Sequence, residues 1–461
     1  MYRTNAWNIL GEEETARMEA FAAAYRDFLD KGKTERECVT ESVRLAKAKG
    51  FTDMMTLIAQ GGGLKPGDRV YRDWMGKSIL LFVIGSGDIT AGMNILGAHI
   101  DSPRVDVKQN PVYEDEGFGY LDTHYYGGIK KYQWVTQPMA LHGVWVKKDG
   151  TKVEVAVGED ADDPVFCFSD LLIHLSQDQM SQPANKVIDG EALNLIIGHR
   201  PTTGEEKDAV KTGLLNLLKD KYGIEEEDFL SAELEIVPAG KCRELGFDRS
   251  MLLGYGHDDR VCAYPSMAAV LDYEGTPERT LCAVLTDKEE IGSVGATGMN
   301  SLYFENTVAE LIAALGVNDP LALRRALQNS LMLSSDVSAG FDPNFAGVFE
   351  RKNAAFLGKG VCFNKYTGRG GKSGASDANP EFIAQLRRIL DDAGVAWQTS
   401  EIGKVDAGGG GTIAFTCAKY GMNVIDCGVP VLSMHAPYEI VSKADLWQEY
   451  RCYCEFLKAA K

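Results

Sequence analysis

Four short apolar runs, each closing on a carboxylate or an imidazole, restrict this chain more than any other feature. They are MNILGAHID (93–101), TLCAVLTD (280–287), SLMLSSDV (330–337) and GMNVIDCGV (421–429), the last followed by His435 in SMHAPYE. Runs of this length bounded by turn residues read as buried strands. A strand whose only ionisable group sits at its end belongs in an open α/β sheet, where ligands bind beyond the strand termini. His99 and Asp101 lie one residue apart. On an extended backbone they share a side, with Ile100 facing away. A carboxylate beside an imidazole can fix its tautomer, as it does for many metal-binding histidines.

Helices alternate with these strands. Met18, Phe21, Tyr25 and Phe28 recur on one helical face, and a second helix opens at Thr34, with Glu37 at capping-box spacing and Gly50 as its stop. SILLFVIG (78–85) reads as a further strand, and KADLWQEYRCYCEFLKAA (443–460) as a closing helix. From about Val107 to Asp248 the character changes. MALHGVWVKKDGTKVEVAVG reads as a hairpin about Asp149-Gly150, and EEKDAVKTGLLNLLKDKYG (205–223) as a charged helix. The pattern is therefore an α/β domain, residues 1–106 and 249–461, interrupted by a β-rich domain at 107–248.

Composition narrows the function. With 461 residues, 45% hydrophobic and 25% charged, the chain can bury a large core. A formal net charge of −18 argues against nucleic acid or an anionic membrane as partner. The acidic N-terminal stretch does not read as a secretory signal, and no run approaches the ~18 apolar residues of a spanning helix. Ten cysteines, scattered through apolar runs without a CxxC pair, read as reduced thiols of a cytoplasmic protein. TGRGGKSGAS (367–376) imitates a phosphate-binding loop, but Tyr366 stands where that pattern needs its first glycine. It reads instead as a glycine-rich loop before a helix capped by Asn379, with Pro380 in its first turn.

The remaining polar strand-end residues are Asp258 and Asp259 in GYGHDDR, Asp287, Glu289 and Glu290 in TDKEEIGS, Asp336 and His435. Each alone could be a cap, a solvated pair or a packed histidine. With His99 they offer two imidazoles and at least three carboxylates. That set suits two divalent ions roughly 3.5–4 Å apart, one carboxylate bridging, rather than one catalytic zinc. Mixed imidazole and carboxylate donors fit zinc first, with cobalt or manganese as alternatives. On an extended backbone Glu289 and Glu290 diverge, so one can ligate while the other handles a proton.

GAHIDSPR, DDR, TDKEEIGS, SSDVSAG and SMHAPYE occur in the order and spacing of the aspartyl aminopeptidase family of dinuclear zinc metallopeptidases, which the chain resembles over nearly its whole length. The resemblance implies a three-layer α/β/α metallopeptidase domain with an inserted dimerisation domain. It implies that His99 and Asp336 hold one metal, Glu290 and His435 the other, and that Asp258 bridges both. Asp101 would orient His99, and Glu289 would be the general base and acid. The implied reaction removes the N-terminal residue of a peptide by a metal-activated water. The family's homododecamers, built from dimers around an interior cavity, would be the assembly. FSDLLIHLSQ (168–177) resembles the region that reaches a neighbouring active site, with His174 at the later histidine position and Asp170 at the earlier one. Acid-selective members carry a lysine where Cys362 stands here, with Lys359 and Lys365 nearby, so an acidic, neutral or hydrophobic first residue all remain open as substrate. Two other readings compete: a dinuclear amidohydrolase or deacylase on non-peptide amides, which the same metal geometry would serve, and a non-catalytic scaffold, against which the complete ligand set argues.

Overall fold

The computed structural model describes residues 4–204, 207–368 and 370–461. The first two residues of the charged helical segment expected at 205–223, and Arg369 of the glycine-rich loop, lie outside them. The chain divides into two compact units. The first comprises the N-terminal part to Asp101, Cys242–Met434 and Glu439–Lys461; the second comprises Ser102–Lys241 with His435–Tyr438. The division thus falls at 102–241 rather than 107–248. The reason is in the strands: Arg104–Asp115 already pairs within the second unit's sheet, and Arg243–Leu245 already pairs with Met251–Gly254 of the first.

The first unit is built on a nine-stranded sheet among the described residues. Its centre is four parallel neighbours in the order Thr280–Thr286, Met93–His99, Leu331–Ser335 and Asn423–Gly428. These are the four apolar runs of the sequence. Ser78–Val83 and Val361–Asn364 flank them antiparallel. Register aligns the functional ends: Thr286 lies opposite His99, Ser334 opposite Gly97 and Ser335 opposite Cys427.

Alternate side chains of the central strands enter two separate cores. Leu96, Ala98, Ala283, Leu285 and Leu333 pack in one core with Tyr25, Phe28, Val39, Val261 and Phe456 from helices. Ile95, Cys282, Val284, Met332 and Val424 pack in the other with Phe304, Val308, Leu311 and Ala326. Both faces of the sheet are therefore covered, as parallel strands require.

The helices follow their sequence signals. Glu12–Lys31 buries Met18, Tyr25 and Phe28, and Glu35–Ala48 opens with the Thr34/Glu37 capping box. Pro380–Asp392 starts after Asn379, but the Asn379 side chain makes no cap; its amide donates to Asn423 Oδ1 at 2.7 Å instead. No helix among the described residues is long and apolar enough to cross a membrane, and the ten cysteines are all free.

Among the described residues the second unit is a seven-stranded antiparallel sheet, ordered Lys152–Val157, Met139–Val146, Ala232–Pro238, Arg104–Asp115, Phe118–Tyr126, Leu195–Gly198 and Cys167–Phe168. The Asp149-Gly150 hairpin forms, with Thr151 N donating to Asp149 Oδ1. Trp145 is buried against Tyr222 of the Ala209–Tyr222 helix and against Phe229.

One close approach in the first unit sets where Asp336 sits. A Cβ on Gly428 would lie 2.7 Å from the Asp336 carbonyl carbon and 3.2 Å from Cys262 Sγ, so only glycine lets the Leu331–Ser335 strand exit here. Gly428→Ala is expected to destabilise the protein by about 1–3 kcal/mol and to weaken divalent-metal uptake by displacing Asp336. A denaturant titration with elemental analysis checks both.

Candidate metal centre

The first unit gathers its polar strand ends at one edge. His99 is the last residue of its strand and is 1% exposed. The strand stops there, so Asp101 does not reach the imidazole by two-residue alternation. It turns back instead: His99 Nδ1 lies 3.0 Å from the Asp101 carbonyl oxygen and 3.4 Å from Asp101 Oδ1. A proton on Nδ1 donates to that carbonyl, which leaves the Nε2 lone pair for a ligand. Nε2 faces Asp258 Oδ1 at 3.2 Å and Glu289 Oε2 at 3.9 Å.

Asp258 and Asp259 arrive differently from the sequence expectation. The Met251–Gly254 strand belongs to a separate three-stranded sheet, and both aspartates lie in the first turn of the His257–Leu271 helix. Their backbone departs from helical angles, and the bond between them is cis. Asp258 N donates to Glu439 Oε2 at 3.0 Å, and Asp259 Oδ2 accepts the His99 amide at 3.3 Å. Asp259 thus joins the helix start to the His99 strand end.

Glu289 and Glu290 do not lie on an extended backbone either. They occupy a 3-10 turn, Glu289–Ile291, between Lys288 (φ 68°) and Gly292 (φ 93°). Asp101 holds this turn: Oδ1 accepts the Glu289 amide at 3.1 Å and Oδ2 the Glu290 amide at 3.2 Å. Thr297 Oγ1 donates to the buried Asp287 just upstream at 2.5 Å. Burial first, then the Glu35 and Asp101 carboxylates, push Asp287 up to about 6, against Lys77 and Lys288.

Two trios of donor atoms lie within 4.8 Å of one another here: His99, Asp258 and Asp336, and His99, Glu289 and Glu290. Six expected residues, His99, Asp101, Asp258, Glu289, Glu290 and Asp336, are therefore brought to one edge of the first unit. Their electrostatics are those of crowded anions. Removal from water, then the charges of Glu289, Asp258 and Asp259, drive the Asp336 carboxyl well above its ordinary range. Burial, with Asp258 adding and His99 opposing, pushes Asp259 up to about 8. Burial alone would depress His99, but hydrogen bonds to Asp101 and Asp258 hold it well above the usual imidazole range. A divalent cation would neutralise this cluster, and imidazole with carboxylates is the donor set that borderline ions take.

His435 falls in the His435–Tyr438 loop of the second unit, with φ 65° and Nδ1 2.8 Å from the Gly128 carbonyl oxygen. That contact too assigns the proton to Nδ1 and the lone pair to Nε2. His174 is exposed on a three-residue 3-10 turn, Ile173–Leu175. It is therefore not a histidine packed on an amphipathic helix, and the apolar residues beside it are exposed too. Leu172, Ile173, Leu175 and Met180 are all more than half exposed. Asp170 is engaged with Gln179 Nε2 at 2.8 Å.

The Cys362 position is neutral. Cys362 Sγ lies 2.8 Å from Ser400 Oγ, which donates to Asn364 Oδ1 at 2.6 Å; Asn364 Nδ2 donates to Ser338 Oγ at 3.0 Å. Lys365 pairs with Asp377. Two supporting residues escaped the sequence reading. Glu439 stands at the end of SMHAPYE, and its spacing from His435 was the only signal. Lys77, beneath Asp287, left no signal at all.

The aminopeptidase I zinc metalloprotease (M18) family matches residues 28–457. A probable M18 family aminopeptidase 1 of Clostridium acetobutylicum is 56% identical over 454 residues, covering 98% of this chain and 97% of that protein. The crystal structure of aminopeptidase I from Clostridium acetobutylicum superposes with a TM-score of 0.93 at 55% identity, covering 99% of each chain. That of an M18-family aminopeptidase from Thermotoga maritima superposes with a TM-score of 0.95 at 43% identity, covering 100% of each. Geometry, sequence and fold agree, and this chain belongs to the M18 family of zinc metallopeptidases, the aspartyl aminopeptidase family its motifs resemble.

Proposed function

We propose that this metalloaminopeptidase binds two divalent ions, zinc in the first place, and removes the first residue of peptides. The observation that carries this reading is the crowding of Asp258, Asp336, Glu289 and Glu290 around the Nε2 face of His99. So many carboxylates at a buried edge are stable together in their ionised form only around cations. His99 and Asp336 would hold one ion, Glu290 and His435 the other, and Asp258 would be shared between them. When bound, the ions supply Lewis acidity to water and to the scissile carbonyl.

The chain's own residues do the rest. Asp101 fixes the His99 tautomer and the amides of the Glu289–Glu290 turn. Glu289 accepts the water's proton and delivers it to the leaving amine. The neutral Cys362–Ser400–Asn364–Ser338 chain offers no cation to an acidic first residue, which favours neutral or hydrophobic ones over aspartate or glutamate. The exposed apolar turn about His174 supports subunit pairing through the second unit, within a homododecamer built from dimers, with His174 of the partner subunit entering the site. Ten unpaired thiols support a cytoplasmic location.

Glu289→Gln is expected to retain its metal, by elemental analysis, while losing ~10²–10⁴ in rate on a panel of aminoacyl reporter substrates. Activity within a factor of a few would remove Glu289 as the base. Turnover of acylated amino acids in place of peptides would favour the deacylase reading.

Asp258→Asn should damage both ion positions, whereas His435→Ala should weaken mainly one. Metal titration into each apoprotein separates them. The assignment fails if Asp259→Asn abolishes both sites while Asp258→Asn binds normally.

His174→Ala should lower activity with metal content and assembly intact. Reassembling it with Glu289→Gln subunits should restore turnover from two nearly inactive parents. Confirmed hybrids without recovery would confine His174 to its own chain.

A further inference from the structure

The turn that carries Glu289 is conformationally costly. Lys288 (φ 68°) and Ser293 (φ 59°) both take left-handed backbone angles without being glycine. Such residues persist only where the surroundings over-determine them. The exit of the turn is held by Asn300, whose Nδ2 donates to the Gly292 carbonyl at 3.2 Å and whose amide donates to the Ser293 carbonyl at 3.0 Å. The entry is held by Asp287, at the end of the Thr280–Thr286 strand and wholly buried.

Asp287 is embedded in a charge cluster that the proposed chemistry does not use. Lys77 Nζ, on a side chain 9% exposed, lies 3.1 Å from Glu35 Oε1 and 3.9 Å from Asp287 Oδ2. Lys288 Nζ lies 3.2 Å from the same Asp287 oxygen, and Thr297 Oγ1 donates to it at 2.5 Å. The Asp287 amide donates to Ser78 Oγ at 3.1 Å, and Ser78 Oγ donates to the Thr297 carbonyl at 2.8 Å. Two carboxylates and two ammoniums thus alternate: Glu35, Lys77, Asp287, Lys288. Charges this far from water interact strongly, and the order is set by geometry as well as attraction. Asp287 Oδ2 is thus held between Lys77, Lys288 and Thr297, and the next residue but one is Glu289.

We propose that Lys77 and Thr297 are positioning residues for the base: acting through Asp287, they hold the entry of the Lys288–Gly292 turn so that the Glu289 carboxylate stays at the edge facing His99. None of the three touches the reacting atoms. The inference rests on Glu289 being the base. It distinguishes Lys77 from an ordinary buried ion pair, because its loss moves a catalytic group rather than only lowering stability.

The test uses the zinc-loaded full-length protein and the reporter substrate that the parent turns over fastest. Lys77→Met and Thr297→Val are each made in the parent and in a Glu289→Gln background. In the parent, Lys77→Met should lower kcat ~10-fold or more with KM changed less than about twofold, since a small misplacement of a catalytic group is costly. Thr297→Val, which removes one hydroxyl at nearly constant volume, should lower kcat about threefold in the same way. In the Glu289→Gln background both should change the residual rate by less than about twofold, because the group they position is already gone. Folded variants with parental kcat, or equal losses in both backgrounds, overturn the proposal. If Lys77→Met does not fold, Thr297→Val decides by the same criteria. A Glu289→Gln parent that keeps its activity overturns the base assignment and this inference together, and is told apart because it appears before either second substitution is made.

Discussion

The carboxylate of Asp101 is the interaction on which the site depends. It meets two stretches of chain that are almost two hundred residues apart. One is the His99 ring two residues before it, and the other is the pair of amides at Glu289 and Glu290. Both oxygens accept amide hydrogens, so the carboxylate is held in place. The same residue therefore fixes which nitrogen of His99 offers its lone pair and where the Glu289–Glu290 turn begins.

That coupling works because parallel pairing aligns the strands that feed it. Thr286 opposite His99 brings the start of the TDKEEIGS loop beside the imidazole. Asp336 leaves the next strand at the same level, and the helix start at Asp258-Asp259 closes the group from one core side. The result places anions against one another in a region depleted of water, which the polypeptide alone does not stabilise. A site that is unfavourable without a cation and favourable with one couples metal binding to local structure.

The second unit follows a different logic. Its sheet is antiparallel throughout, and its apolar residues are not all spent on its own core. The turn around His174 leaves several large aliphatic side chains in contact with water, a feature that marks interaction surfaces more often than free ones.

Much of this was written in local sequence. The four central strands were recognisable from apolar runs, the two first helices from periodicity and the Thr34/Glu37 capping box, the hairpin from Asp149-Gly150, and the metal-type donors from their positions at strand ends. Those signals are local because burial, capping and turn chemistry depend on neighbours a few residues away. Other features were decided only by the tertiary structure. Asp258 and Asp259 start a helix rather than end a strand of the main sheet. Glu289 and Glu290 share a turn rather than an extended segment. Asp101 serves amides far along the chain, and Lys77 meets Asp287 from the turn that precedes the neighbouring Ser78–Val83 strand. Each of these depends on which elements become neighbours and in what register. A carboxylate's spacing in the chain records neither the amide it will accept nor the cation it will face, because those partners are chosen by strand pairing and close packing after the local elements exist.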